Sequence, residues 1–496
     1  MGFRLFNVRS FPQPPPSNLQ SAYQLPHIVD SKLHKERQLN RIAGPFSQPP
    51  LPSMVFSPLG LQPKKVQGEY RVIHHLSYPH GTSVNDGIPK ECASVHYTSV
   101  GQAIQSILHF GRGCYLAKTD IKSAFRIVPV SPLDYHLLGF HWKGSYYYDR
   151  CLPMGCASSC AIFEAFSSCL EWIIRGLAPH VHVLHVLDDF LFVGPSFRMC
   201  QLALNSFTDL CSYLGVPLAP DKTMGPVQAL PFVGVYLDTL DMSASLPEDK
   251  IIKFQNYISQ LLSAKSATLK QIQSITGMLN FACGVIAPAR AFSRRLYNLE
   301  VGLSRPYHHV RITNQVKQDL LVWKTFLQGF NRKSFFLDFK FLSQQVLRMF
   351  TDASTTIGYG GYFRSHWFSG CWSDACSKLN IAVLEIYPIL VALRLFAPSL
   401  RNKCIVLMSD NMAVVHVLNS FTSKDPHIMT ILRHIVLVCM SHNIFIRSQH
   451  YPGHKNVIAD LLSRSQVPKA LALCPALEPQ PTQVPPSWAL DNLLQL

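Results

Sequence analysis

Val183-Leu184-His185-Val186-Leu187-Asp188-Asp189-Phe190-Leu191-Phe192-Val193-Gly194 sets two adjacent carboxylates between two apolar runs rich in β-branched and aromatic residues. The pattern predicts a hairpin of buried strands with the acids at its tip. Adjacent like charges are unfavourable unless a cation neutralises them, and hard divalent ions take oxygen ligands. A third acid ends an apolar strand upstream, in Cys114-Tyr115-Leu116-Ala117-Lys118-Thr119-Asp120. If the two strand ends are neighbours, three carboxylates can hold two metal ions about 3.5–4 Å apart, which suits in-line displacement at phosphorus. By itself, an Asp-Asp doublet describes a solvated surface turn equally well.

The order Asp120-Ile121-Lys122-Ser123-Ala124-Phe125, then Leu152-Pro153-Met154-Gly155, then Asp188-Asp189 resembles palm motifs A, B and C of reverse transcriptases. Leu214-Gly215-Val216 through Asp221-Lys222-Thr223, and Phe232-Val233-Gly234-Val235, resemble the motif D and E region of that family. The resemblance spans roughly residues 45–240. It implies that Asp120, Asp188 and Asp189 are catalytic metal ligands and that Lys222 protonates the leaving pyrophosphate. Phe125 then holds the steric-gate position that rejects a ribose 2′-OH, and Gly155 admits template and nucleotide close to the backbone. Leu61-Gln62-Pro63-Lys64-Lys65 and Gly68-Glu69-Tyr70-Arg71-Val72-Ile73 resemble the fingers hairpin, with Lys65 and Arg71 on the triphosphate. Apart from the resemblance, Phe125 reads as a core aromatic, Lys222 as a loop lysine, and Lys65 and Arg71 as solvated. Two departures stand out. Val186 replaces the usual Tyr or Phe, and Cys160 stands where many relatives have Pro.

A length of 496 residues predicts about three domains. With 48% hydrophobic and 15% charged residues, the chain can bury sizeable cores. A net charge of +16 favours a polyanionic partner, because Lys and Arg neutralise phosphates with counterion release. Charge alone also fits a basic protein with no such partner. The 14 cysteines lack paired CxxC spacing; Cys151, Cys156 and Cys160 cluster without zinc-finger partners and read as small buried hydrophobes. His180, His182 and His185 do not converge on one face, which argues against a metal site there. The expectation is no secretory signal, no myristoylation motif and no apolar run approaching about 20 residues, hence no membrane span. An intracellular location, cytoplasm or nucleus, follows as the default.

Along the chain, residues 1–44 read as a flexible Pro-rich leader to residue 29 and a short charged helix from Ser31 to Ile42. Residues 45–240 are fingers and palm, and 241–345 a helical thumb and connection. Ile251, Phe254, Ile258, Leu261 and Leu262 fall on one helix face, and Thr268-x-x-Gln271 is a capping box for the next helix. Arg290, Arg294 and Arg295 are expected to share a face that tracks phosphates or is simply solvated. The run from Gly277 through Tyr297 resembles the connection of DIRS-type retroelements.

Residues 346–465 carry a second acid set. Asp352 follows a strand, Glu385 sits on a helix, Asp410 follows Cys404-Ile405-Val406-Leu407-Met408, and Asp460 lies on a helix after His454. The order resembles ribonuclease H and implies two further metal ions activating water, with His454 assisting proton transfer or product release. Each acid singly reads as ordinary, because Asp at a strand end often caps the next helix. Pro388 lies three residues after Glu385, so either the helix starts near Leu384 or Glu385, or it is kinked. Residues 466–496 form a Pro-rich tail, expected to be linker or disordered.

The expected fold is α+β and α/β multidomain: a right-hand polymerase, a helical connection and a ribonuclease H-like domain. The resemblance implies an RNA-directed DNA polymerase with ribonuclease H, similar to the polymerase segment of a DIRS-type (tyrosine-recombinase) retrotransposon. Implied cofactors are Mg²⁺, two per active site, with Mn²⁺ as a substitute. Implied partners are an RNA template, a DNA primer, RNA–DNA hybrid and deoxynucleoside triphosphates. The alternatives are an inactive or domesticated nucleic-acid-binding scaffold, and a polymerase with a vestigial nuclease.

Overall fold

The computed structural model describes residues 2–495 except 10, 11, 13, 64–67, 330–332, 335–346, 402 and 443. These fall into two compact units. One runs to Val233 and takes in Asp238–Leu240; the other comprises Gly234–Leu237 and everything from Asp241.

In the first unit the hairpin forms as expected. His182–Val186 pairs antiparallel with Asp189–Gly194, and Leu187 and Asp188 make the two-residue turn. Val183, Phe190, Phe192 and Val193 are fully buried. Tyr115–Asp120 lies along the other side of Asp189–Gly194, and Met224–Val227 beyond it completes a four-stranded antiparallel sheet. The helices Ser159–Leu177 and Phe197–Leu214 pack on this sheet and bury Phe163, Ile174 and Phe207 in its core. Ile42–Phe46, Ser145–Asp149 and Gly139–Trp142 form a separate three-stranded sheet. Leu59–Pro63 pairs with Tyr70–His74 in the expected fingers hairpin, with Gln62 opposite Arg71.

The leader differs from its expectation. Leu5 is buried, its N–H donates to Asp134 at 2.6 Å, and Arg4 reaches the same carboxylate at 2.9 Å. Asp134 is itself buried, and a buried carboxylate must be paired and hydrogen-bonded, so it ties the leader down. The charged helix runs Pro26–Gln38 rather than from Ser31 to Ile42. Pro26 starts it, where a missing N–H removes no helical bond, and Ile42 already belongs to a strand.

In the second unit, Glu248–Ser263 buries Phe254, Ile258 and Leu261, and Leu269–Ala282 buries Ile272, Ile275 and Leu279. The capping box is present: Thr268 Oγ1 accepts from the Gln271 N–H, and Gln271 Oε1 accepts from the Thr268 N–H at 2.9 Å. The shared arginine face is not. Arg290 lies in the 3₁₀ segment Ala287–Phe292, before the helix Arg294–Glu300, and Arg295 donates to Asp319 at 2.7 Å. Asp319 is buried on Asn314–Gly329 and also faces Arg433 at 3.6 Å. The cost of a lone buried carboxylate draws Arg295 inward.

A five-stranded mixed sheet follows, ordered His366–Cys371, Gly358–Phe363, Leu347–Ala353, Cys404–Ser409, Phe445–His450. The first three strands are antiparallel, and the last two run parallel to Leu347–Ala353. Residue 346, expected to open the central strand, lies outside the described residues. The helix Ile381–Leu400 packs on the sheet and under Pro426–Ser441. By length and composition it is apolar enough to cross a membrane, contrary to the expectation that no run approaches that length. Most of it is buried, as befits a helix covered on both sides. Pro388 falls inside it, so the Leu384 carbonyl lacks the amide four residues on.

The tail is packed rather than disordered. Val467–Leu473 is helical, and Leu477 and Leu490 are buried. The Thr482 N–H donates to the Trp367 carbonyl at 2.8 Å, Trp367 Nε1 donates to the Glu478 carbonyl at 2.7 Å, and the Tyr387 hydroxyl donates to the Trp488 carbonyl at 2.7 Å. Apolar residues between the prolines supply burial, and an extended Pro-rich backbone suits the rim of an edge strand.

Candidate functional site

Asp120 ends its strand directly opposite Asp189 in the antiparallel register, and Asp188 occupies the adjoining turn. The Ile121 N–H donates to the Asp188 carbonyl at 2.9 Å, tying that turn to the residue after Asp120. Asp120, Asp188, Arg71 and Lys222 line one cavity of about 370 Å³, together with Lys32 and Glu36 from the Pro26–Gln38 helix. Burial, then the charge of Asp120, pushes the Asp188 carboxyl above its usual range. Asp189 is also raised by burial, with Lys118 opposing and Asp120 adding to the shift. Lys222 Nζ donates to Asp120 Oδ1 at 2.8 Å. Burial would lower that ammonium, but the Asp120 hydrogen bond and the charges of Asp120, Asp188 and Asp189 raise it instead.

Gly155 has φ +110°, and a Cβ there would sit 2.8 Å from the His74 carbonyl oxygen. The turn therefore needs glycine for its own packing. Asn85 pins the same turn, donating to the Gly155 carbonyl and accepting from the Ala157 N–H, both at 2.8 Å. The Phe125 ring turns edge-on to Phe163, centroids 5.2 Å apart, whereas Ala124 and Arg126 reach the cavity wall. Lys65 lies outside the described residues.

The sequence reading missed the cavity's charged floor. Arg126 Nη2 reaches Glu36 at 2.9 Å and Asp149 at 2.7 Å, and His74 Nδ1 stands 3.0 Å from the same Asp149. Burial would raise Asp149, but Arg126 and His74 outweigh it and hold the carboxyl below its usual range. The available signals were a lone acid closing the aromatic run Tyr146-Tyr147-Tyr148 and an arginine directly after Phe125.

In the second unit, Asp352 lies on the central strand, Glu385 on the Ile381–Leu400 helix and Asp410 just past the parallel neighbour strand. Asp460 lies on Val457–Ser463, after the 3₁₀ turn Gly453–Lys455 that carries His454. Burial, then the charges of Asp410 and Asp352, pushes Glu385 up to about 8. Asp352 is pushed up to about 6 by burial, against a 2.6 Å hydrogen bond from Ser463 Oγ and with Asp410 and Asp460 adding to it. Glu385 thus feels the charges of Asp352 and Asp410, and Asp352 those of Asp410 and Asp460. A Cβ on Gly453 would lie 2.8 Å from Asp410 Oδ2, so the His454 turn packs tightly on that carboxylate.

Among the described residues, no three acidic, histidine or cysteine side chains gather at one metal-binding point. Lys222 stands on Asp120, and Ser463 and Arg464 hold Asp352 and Asp460. The donor chemistry nonetheless fits a hard divalent cation: every candidate ligand is a carboxylate. Burial and mutual repulsion disfavour the charged forms of Asp188, Asp189, Asp352 and Glu385, which a cation relieves.

Residues 62–237 match the family described as reverse transcriptase (RNA-dependent DNA polymerase). The chain is 29% identical over 134 residues to protein P of hepatitis B virus genotype E subtype ayw4, covering 27% of this chain and 16% of that protein. It is 22% identical over 324 residues to the Gag-Pro-Pol polyprotein of human T-cell leukemia virus 3 (strain 2026ND), covering 63% of this chain and 20% of the polyprotein. It thus spans well under a third of the length of these relatives. A foamy viral protease-reverse transcriptase solved with double-stranded DNA is similar in fold, with a TM-score of 0.54 at 17% identity, over 90% of this chain and 74% of that one. The foamy viral protease-reverse transcriptase solved with an RNA/DNA hybrid gives a TM-score of 0.53 at 16% identity, over 90% of this chain and 56% of that one. The fold is that of a right-hand polymerase, and residues 62–237 are similar to the reverse transcriptase domains of viral polyproteins.

Proposed function

We propose that the chain is an RNA-directed DNA polymerase with a second, ribonuclease H-like nuclease site. The observation that carries the polymerase reading is the direct opposition of Asp120 and Asp189, with Asp188 beside them in a cavity shared with Arg71 and Lys222. Hard divalent cations, Mg²⁺ or Mn²⁺ in this reading, would be held by Asp120, Asp188 and Asp189, and by Asp352, Glu385, Asp410 and Asp460, and would neutralise phosphate charge and activate the attacking oxygen. Arg71 meets the triphosphate as a charge-assisted donor. Lys222, kept protonated by the acids around it, hands a proton to the leaving pyrophosphate. Phe125 excludes the ribose 2′-OH, and Gly155 shapes the turn beside the cavity. In the second unit, His454 serves proton transfer or product release from its turn against Asp410. The substrates are an RNA template, a DNA primer, deoxynucleoside triphosphates and the RNA–DNA hybrid. The finer assignment, a DIRS-type retrotransposon, is supported by the run from Gly277 through Tyr297.

The test is primer extension on an RNA template with Mg²⁺ or Mn²⁺, beside cleavage of a labelled RNA–DNA hybrid. Asp188→Asn should abolish extension and leave cleavage near the parent rate. Extension that survives in this variant would sink the assignment. A polymerase with a vestigial nuclease is the second reading, favoured by Pro388 inside the helix that carries Glu385. Extension without cleavage selects it.

A further inference from the structure

Behind the Asp188 turn lies a chain of polar contacts that the proposed chemistry does not use. Glu164 Oε2 accepts the Leu187 N–H at 3.0 Å, and Glu164 Oε1 is 3.2 Å from His185 Nε2. His185 Nδ1 contacts Glu171, and the ring stacks on Phe190 with centroids 5.3 Å apart. Glu171 Oε1 meets Arg175 Nη2 at 2.5 Å, and Arg175 Nη2 donates to the Val183 carbonyl at 3.2 Å. Glu164, Glu171 and Arg175 are seven and four residues apart on Ser159–Leu177, so they share one face of that helix. They meet the hairpin at three successive points: a turn amide, a strand side chain and a strand carbonyl. His185 is buried between the two glutamates.

Leu187 explains why this support matters. Its φ is +53°, a left-handed conformation that a leucine keeps only when its surroundings hold it there. Its N–H lies at the tip of the hairpin, beyond the Val186–Asp189 pair. Glu164 is the hydrogen-bond acceptor that N–H finds. On the far side of the turn, the Ile121 N–H holds the Asp188 carbonyl. The Asp188 carboxylate is therefore aimed by a two-residue turn fastened at one end by Glu164 and at the other by Ile121.

We infer that Glu164 is a positioning residue for Asp188, setting the catalytic turn by accepting the Leu187 N–H. The inference rests on the polymerase reading above. Its role is geometric: reach and an acceptor oxygen are required, negative charge is not. Two conservative variants separate these. Glu164→Gln keeps the length and one acceptor oxygen while losing the charge. Glu164→Asp keeps the charge but withdraws the oxygen by one methylene.

The experiment is single-nucleotide insertion on an RNA template, resolving the maximal rate from nucleotide KM and primer-template Kd, with Asp188→Asn alongside. The Asp variant should lose about tenfold to a hundredfold in rate, the scale on which a misplacement near 1 Å acts. Its KM and Kd should stay within about twofold. The Gln variant should stay within about threefold of the parent rate. A slow Gln variant beside a fast Asp variant overturns the inference, because charge would then be the requirement. Two fast variants, or two slow ones, overturn it as well. In each of these cases extension by the parent, lost in Asp188→Asn, keeps the polymerase reading intact. A parent protein that extends no primer removes the reading and the inference together.

Discussion

The Lys222 ammonium stands 2.8 Å from Asp120 Oδ1, a salt bridge at the carboxylate end of a strand whose neighbour carries Asp189. With Asp188 also contributing to its raised basicity, Lys222 stays protonated at neutral pH. Lys222→Gln should lower the maximal rate of nucleotide insertion by about a hundredfold, the low end of general-acid contributions. Nucleotide KM should change far less. A rate within twofold of the parent would leave Lys222 as a mere counter-ion to Asp120.

Phe125 tests sugar selection. Its ring packs against Phe163, so truncation has a structural and a functional consequence that differ in readout. Phe125→Ala should let ribonucleotides in, raising their insertion efficiency relative to deoxynucleotides by an order of magnitude or more. Loss of packing alone would lower both efficiencies together. A constant ratio in single-nucleotide insertion identifies Phe125 as core.

Arg295 separates nucleic-acid contact from internal pairing. Its bond to the buried Asp319 predicts that Arg295→Glu is a folding variant, costing about 3 kcal/mol or more, because it leaves a buried carboxylate facing a second one. The salt slope of primer-template binding should be unchanged, since the slope counts phosphates neutralised. Chemical denaturation beside a salt titration checks both. A flattened slope at parent stability would return Arg295 to a phosphate-tracking role.

Asp410 addresses the second acid set. Asp410→Asn keeps the side chain's shape beside Gly453 and removes one charge from the field that raises Glu385 and Asp352. Hybrid cleavage should be lost while primer extension stays near the parent rate. Cleavage at the parent rate contradicts the four-acid assignment, and joint loss of both activities signals misfolding.

Strand ends, the hairpin and the capping box at Thr268 were legible in the sequence because their causes are local. Alternating apolar runs, a turn between them and a side-chain oxygen three residues from its amide need only the chain's own periodicity. The resemblance of the motif order likewise implied that Asp120 and Asp188-Asp189 lie at neighbouring strand ends, as the register shows. Composition misled wherever a distant partner decided the outcome. Residues 1–29 and 466–496 read as loose because they are rich in proline, yet Asp134 binds the leader and the Trp367 strand receives the tail. Arg295 read as a phosphate contact or a solvated charge, whereas Asp319, 24 residues away, claims it. His185 looked incidental until Glu164 and Glu171 flanked it from another element. Sequence by itself determined which elements the candidate acids ride on. Only the tertiary structure decided which charges pair, because the penalty for a buried, unpartnered charge is met by whichever group the fold brings near, at any distance along the chain.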